Sequence, residues 1–341
     1  MAKRRVLPII ECTKLRKIFR TPKRMPGPLG ALRSLVSRAY EERAAVDAVS
    51  FRLEPGELVG YIGPNGAGKS TTIKMLTGIL VPTSGEVRVA GIVPWRQRKE
   101  NGRNIGVVFG QRSQLYWDLP LIESFELLRA IYGIGRDQYR RNLDEFIEIL
   151  QLGDFLRTPV RQLSLGQRMR GDFAAALLHG PRVVYLDEPT IGLDVVAKES
   201  IREFIARINS ERGTTVILTT HDLADVERLC RRIILIDRGT LIYDGDIERI
   251  KTEYGQFRTL IVRFSEHVAR PALEGAELVN TEDSSARFRF NRNLQRADLL
   301  VRQASERYSV EDVSLEEPDL ESIIRRIYVE GYQSSSAENG A

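Results

Sequence analysis

Apolar residues along this chain follow two rhythms, one that alternates or runs unbroken and one that recurs every three to four positions. Val6 to Cys12 reads as a strand, and Ala45 to Leu53 alternates as AVDAVSFRL, which predicts a second. Between them stands a segment punctuated by proline and glycine, RTPKRMPGPLGALRSLVSRAYEER. The apolar run LVGYI is expected in a sheet buried on both faces. It leads through a glycine-rich loop into a helix, STTIKMLTG, that stops near Gly78. From about Pro120 to Leu178 the pattern is mainly helical, with amphipathic stretches in YRRNLDEFIEILQL and GQRMRGDFAAALLHG. Two more apolar strands, VVYLD and TVILTTHD, alternate with a helix around AKESIREFIARINSERG. That alternation predicts a parallel sheet covered by helices.

After Gly245 the character changes. FRTLIVRF, SARFRFN and VEDVSLEE read as strands, LQRADLLVRQASER and DLESIIRRIYVEG as helices. Residues 254–331 are expected to form a small separate α+β domain, and residues 332–341 a polar, disordered tail. A length of 341 residues suits one large domain plus a small one. No run approaches the roughly 18 consecutive apolar residues of a membrane span. The start, MAKRRVLPIIECTK, has too short an apolar stretch for a secretory leader. Cys12 and Cys230 lie far apart and read as free thiols in a reducing compartment.

Charge is unevenly placed. The net charge is +5, yet residues 1–43 hold twelve Lys/Arg against three Glu, a net of +9 that leaves −4 for the remainder. The body of the chain is therefore not basic, which speaks against a nucleic-acid surface. In the insertion at 20–43, Leu29, Leu32, Val36 and Tyr40 recur at the spacing of one helix face. Lys23, Arg24, Arg33 and Arg38 surround that stripe, so a cationic amphipathic helix is expected, suited to lipid headgroups or a partner protein.

Two motifs carry chemistry. Gly63-Pro64-Asn65-Gly66-Ala67-Gly68-Lys69-Ser70-Thr71 fits G-x-x-x-x-G-K-[ST], with a strand before it and a helix after. Its glycines let backbone N–H groups turn inward around phosphate oxygens, at the positive end of the following helix. Lys69 is then expected on the β- and γ-phosphates and the Ser70 hydroxyl on Mg²⁺. The second motif is Val183-Val184-Tyr185-Leu186-Asp187-Glu188, an apolar strand that ends in two acids. Buried carboxylates are costly unless they meet cations. At the carboxyl end of a parallel strand both would face the ligand crevice. Asp187 is expected to hold Mg²⁺ through water, and Glu188 to polarise the attacking water.

The residues around these anchors resemble the ATP-binding-cassette (ABC) ATPases. Leu163-Ser164-Leu165-Gly166-Gln167 is similar to the family signature LSGGQ, and Gln111 in VVFGQRSQLYWDLP to the Q-loop glutamine. Ile191-Gly192-Leu193-Asp194 is similar to the D-loop, and His221 stands where the switch histidine belongs. The resemblance covers about residues 6–245. It implies a P-loop α/β core with an antiparallel β arm and an inserted helical subdomain at about 113–180, all within a nucleotide-binding domain over 1–250.

The resemblance also implies ATP hydrolysis with Mg²⁺ as cofactor. Two cassettes meet head to tail, so Ser164 and Gly166 touch the γ-phosphate held by the partner, while Gln111 senses Mg²⁺ and His221 clamps the γ-phosphate. Phe19 is the candidate for the adenine-stacking aromatic. Leu165 departs from the family's glycine, for which altered geometry rather than lost activity is expected. In detail the cassette is most like those of ABC-2-type exporters. The expected partners are a second protomer and separate transmembrane permease subunits, with peripheral contact at the cytoplasmic side of the membrane. The alternatives are an importer ATPase with a C-terminal regulatory domain, or a non-transport ABC ATPase of translation or DNA repair. The translation type carries two cassettes per chain, and the repair type separates its motifs by long coiled coil; neither feature is visible in this sequence.

Overall fold

Residues 7–22, 40–110, 112–317 and 319–330 are described by a computed structural model. β1 (Ile10–Pro22) and β2 (Tyr40–Leu53) pair antiparallel from Ile10 opposite Leu53 to Pro22 opposite Tyr40. Both strands are longer than their hydrophobic pattern predicts. The outer half of the ribbon is exposed, so it has no buried face to impose alternation, and cross-strand pairs such as Arg20–Glu42 (2.8 Å) accompany the ladder instead. Phe19, Arg20 and Arg43 therefore belong to strands. Tyr40, expected on a helix face with Leu29, Leu32 and Val36, opens β2. Those three residues, together with Lys23, Arg24, Arg33 and Arg38, lie outside the described residues, as do Gln111 and the tail 332–341.

β3 (Leu58–Ile62) runs into the glycine loop and α1 (Lys69–Leu76), and β4 (Ser84–Val89) returns to pair antiparallel with β1. A short α2 (Arg98–Asn104) precedes β5 (Ile105–Phe109). Three helices follow, α3 (Leu121–Tyr132), α4 (Arg136–Ile149) and α5 (Leu165–Leu177), before β6 (Val183–Asp187). α6 (Val195–Arg212), β7 (Thr215–Thr219), α7 (Leu223–Leu229), β8 (Arg232–Asp237) and β9 (Thr240–Asp246) complete the succession.

Six strands form the central sheet in the order β5-β6-β7-β3-β8-β9, and the first five are mutually parallel. Most side chains of these five strands are buried; Val184, Leu186, Val216, Leu218 and Ile233 are inaccessible or nearly so. Burying each such side chain contributes about 1.5–3 kcal/mol, which is why the strands read as unbroken apolar runs rather than alternating ones. The parallel pairing sets the carboxyl ends of β3, β6 and β7 along one edge.

The chain divides into two compact units, Met1–Asp244 and Gly245–Ala341. In the second, α8 (Ile247–Tyr254) leads to β10 (Phe257–Phe264), β11 (Glu277–Glu282), β12 (Ser285–Asn291), α9 (Ala297–Arg307), β13 (Val310–Glu316) and α10 (Leu320–Glu330). Its sheet is antiparallel in the order β11-β12-β10-β13. Leu260, Val262 and Phe264 alternate onto one face against Phe288, Phe290 and Leu300. Among the described residues no helix is long and apolar enough to cross a membrane.

Behind the carboxyl edge of the central sheet, one ion pair ties together the segments that follow β6 and β7. Asp225 on α7 is 1% exposed and receives Arg202 of α6 (Nε to Oδ1, 2.6 Å) and the Thr190 hydroxyl (2.6 Å). Removing one partner of a buried pair leaves a charge without compensation. Arg202→Met is therefore expected to destabilise the fold by about 3 kcal/mol, and the double change with Asp225→Leu to recover most of that loss. Urea midpoints of the three proteins measure it; an unchanged midpoint for Arg202→Met would contradict the role assigned to the pair.

Candidate functional site

The glycine loop closes on the first turn of α1 because two of its positions admit no side chain: a Cβ on Gly63 would stand 2.4 Å from the Ile236 carbonyl, and Gly68 is the second. At Gly68 the backbone is left-handed (φ 108°), and a Cβ would stand 2.4 Å from the Ala45 carbonyl. The helix begins at Lys69, so its free N–H groups face the space above the loop. Lys69 is only 9% exposed and folds back on its own loop, donating to the carbonyls of Gly63 and Pro64 (3.3 Å). Burial lowers its ammonium pKa, while the nearby carboxylates of Glu188 and Asp187 act in the opposite sense.

Ser70 reaches across to β6, its hydroxyl donating to Asp187 Oδ2 at 3.2 Å. The other oxygen of Asp187 accepts from Thr219 on β7 at 2.5 Å. Thr219, one of two hydroxyls that bound the apolar run TVILT, is a site residue that the sequence pattern alone does not single out. Glu188 follows in a left-handed backbone conformation (φ 55°), unfavourable for a side-chain-bearing residue and characteristic of functional sites. Its carbonyl lies where a Cβ on Gly110 would stand, 2.1 Å away, so the residue before Gln111 must be glycine. The Glu188 carboxylate meets His221 Nδ1 at 2.7 Å. The structure thus brings Lys69, Ser70, Asp187, Glu188 and His221 together at one edge; Gln111 lies outside the described residues.

Phe19 is 39% exposed on β1, with Lys17 Nζ 5.4 Å from its ring centroid. Directly opposite stands Arg43, whose guanidinium lies 3.8 Å from the position of a Cβ on Gly66. Directly opposed residues of an antiparallel pair share a face, so Phe19 faces the same side as Arg43. A cleft of about 360 Å³ is lined there by Arg43, Asn65, Gly66, Asp237 and Arg238.

Ser164 caps α5 with a reciprocal box: Ser164 N donates to Gln167 Oε1 (2.9 Å) and Gln167 N to Ser164 Oγ (3.2 Å). Leu165 is the first helical residue and has no positive φ, so replacing glycine there imposes no backbone strain. Its Cδ2 lies 3.1 Å from where a Cβ on Gly192 would stand, beside the loop that Asp194 ends by capping α6 through Ala197 N (2.8 Å). Ser164, Leu165, Gly166 and Gln167 form one site feature and Asp194 another.

Comparison with known proteins agrees with this geometry. The ABC transporter family matches residues 46–191. The ABC transporter ATP-binding protein NatA of Bacillus subtilis (strain 168) is 33% identical over 218 residues, 63% of this chain and 88% of that protein. The Nod factor export ATP-binding protein I of Paraburkholderia xenovorans (strain LB400) is 38% identical over 211 residues, 62% of this chain and 68% of its own. Among solved structures, a dimeric ATP-binding cassette in a post-hydrolysis state with ADP and Pi superposes with a TM-score of 0.58 at 27% identity. It covers 70% of this chain and 98% of its own. With its glycine loop, paired acids and histidine at one edge of a parallel sheet, the chain belongs to the ABC transporter family, as an ATP-binding and ATP-hydrolysing subunit.

Proposed function

We propose that this subunit hydrolyses ATP with Mg²⁺ in a head-to-tail pair of chains and powers export through separate transmembrane subunits. The convergence of Lys69, Ser70, Asp187, Glu188 and His221 on the carboxyl edge of the sheet carries the reading. The triphosphate lies along the backbone N–H groups of residues 65–71 and the N-terminus of α1. Lys69 leaves its loop carbonyls to contact the β- and γ-phosphates, and the adenine stacks on Phe19. Ser70 Oγ and Asp187 Oδ2, hard oxygen donors 3.2 Å apart, suit Mg²⁺, with Gln111 as a further donor. When bound, the ion neutralises charge on the phosphates. Glu188 takes the proton of the attacking water, and His221 fixes the orientation of that carboxylate before turning to the γ-phosphate.

Ser164 and Gly166, at the positive end of α5, serve the nucleotide held by the partner chain. The dimeric relative with ADP and Pi supports this arrangement, and the names of the Nod factor and NatA relatives support export and transport. Peripheral contact at the cytoplasmic face of the membrane is proposed for Lys23, Arg24, Arg33 and Arg38, each worth about 1 kcal/mol near an anionic leaflet. Gly245–Ala341 is proposed as an accessory domain with no share in the nucleotide chemistry, and nucleic acid is not proposed as a partner.

Glu188→Gln is expected to bind ATP normally and to lose about 10²–10⁴-fold in kcat, the usual worth of a general base. Lys69→Ala is expected to lose binding as well, measured by titration with a fluorescent ATP analogue beside phosphate release. Hydrolysis by Glu188→Gln at the wild-type rate would overturn the assignment. For Phe19, replacement by Ala should weaken ATP binding by about 1–3 kcal/mol while Tyr preserves it, read by calorimetry. Equal affinity in the Phe19→Ala protein would remove Phe19 from the site.

A further inference from the structure

Asp172 lies two turns along α5 from Ser164, 4% exposed, on the segment that joins the signature to the helix interior. Its carboxylate points at the loop that follows Gln111. Oδ1 accepts from the Ser113 hydroxyl (2.9 Å) and from Gln114 N (2.9 Å). Gln114 Nε2 donates in return to the Asp172 carbonyl (3.1 Å), and Leu115 N donates to the Ser113 hydroxyl (3.1 Å). A second feature serves the same closure. At Gly171 a Cβ would stand 2.8 Å from Leu121 Cδ1 and 3.1 Å from Leu115 Cδ1, so the glycine lets this loop lie directly on the helix.

Packing alone does not explain an acid here. Burial pushes the Asp172 carboxyl up to about 6, and its hydrogen bonds and Arg168 offset this only in part. Because the folded value lies above the unfolded one, stability falls as pH rises from the unfolded pKa through the folded one. The ionised group is kept at a cost to folding.

We propose that Asp172 is a positioning residue that latches the loop after Gln111 to the signature helix. A chain's loop for its own nucleotide and its serine for the partner's nucleotide then move as one body. The inference rests on the roles proposed above for Gln111 and Ser164, which serve opposite nucleotides.

The test uses the full chain with Asp172→Ala, Asp172→Asn and Ser113→Ala, measuring ATP affinity, kcat and the Mg²⁺ concentration for half-maximal hydrolysis. Asp172→Ala should leave ATP affinity within about twofold, raise the Mg²⁺ requirement and lower kcat about tenfold to a hundredfold, the cost of misplacing a group by about an ångström. Asp172→Asn keeps an acceptor oxygen and should retain most of kcat. Ser113→Ala, an exposed change that removes one arm of the latch, should show the same split more weakly, and it remains readable if Asp172→Ala does not fold. Wild-type kcat and Mg²⁺ requirement in Asp172→Ala or, where that protein does not fold, in Ser113→Ala would overturn the latch. So would an equal, parallel loss of ATP affinity and kcat in the alanine and asparagine variants. Either outcome beside an inactive Glu188→Gln protein leaves the hydrolytic reading standing, whereas an active Glu188→Gln protein sinks that reading itself.

Discussion

The parallel register of β3, β7 and β6 is the constraint on which the rest of the site depends. Gly60 stands beside Leu218, and Asp187 beside Thr219, so the loop after β3 and the acids after β6 emerge at the same edge. A slip of one residue would turn Asp187 to the opposite face and Leu186 toward Ser70 and the glycine loop. The ends of the runs prevent that slip, since it would carry the half-buried Asp187 or Arg232 into positions that are fully buried. The acids and the glycine loop are thus held in place by the packing of the strands that carry them.

Charge and strain are then arranged within a few ångströms of that edge. Lys69 is the buried cation, parked on carbonyls of its own loop and balanced by Asp187 and Glu188. Such a group is already largely withdrawn from water. Glu188 carries the unfavourable backbone, made possible by the glycine at 110 and by its N–H bond to the Thr219 carbonyl (2.9 Å). The Arg202–Asp225–Thr190 cluster braces the same segments from behind. Function therefore sits where local preference is overruled by the surrounding structure.

Half of the central sheet was legible because a buried parallel strand leaves an unbroken apolar run, as in LVGYI, VVYLD and TVILT. β5 and β8 are runs of the same kind that went unread, and β9, mostly not buried, leaves none. Spacing and residue type made the loop 63–71 and the pair Asp187–Glu188 readable as chemistry. The family resemblance added Gln111, Ser164, Asp194 and His221, none of which stands out alone. The outer half of the β1–β2 ribbon and all of β11, whose six residues are exposed, leave no such pattern to read. Thr219, Asp172 and Asp225 also escaped notice. Each acts through partners distant in sequence, and a hydroxyl or carboxylate within an apolar stretch shows its purpose only once the fold supplies them.

The signature explains why one chain is not the whole enzyme in this reading. Ser164 and Gln167 bond to each other at the start of α5, while the glycine loop, acids and histidine form their own cluster. A complete site then needs the signature of a second chain. The specific ATPase rate of the full chain, followed from dilute to concentrated protein, tests this most directly. The rate per chain is expected to rise with concentration to a plateau, and Ser164→Ala to abolish it while leaving ATP binding by the single chain intact. Full activity per chain at concentrations where the protein is monomeric would contradict it.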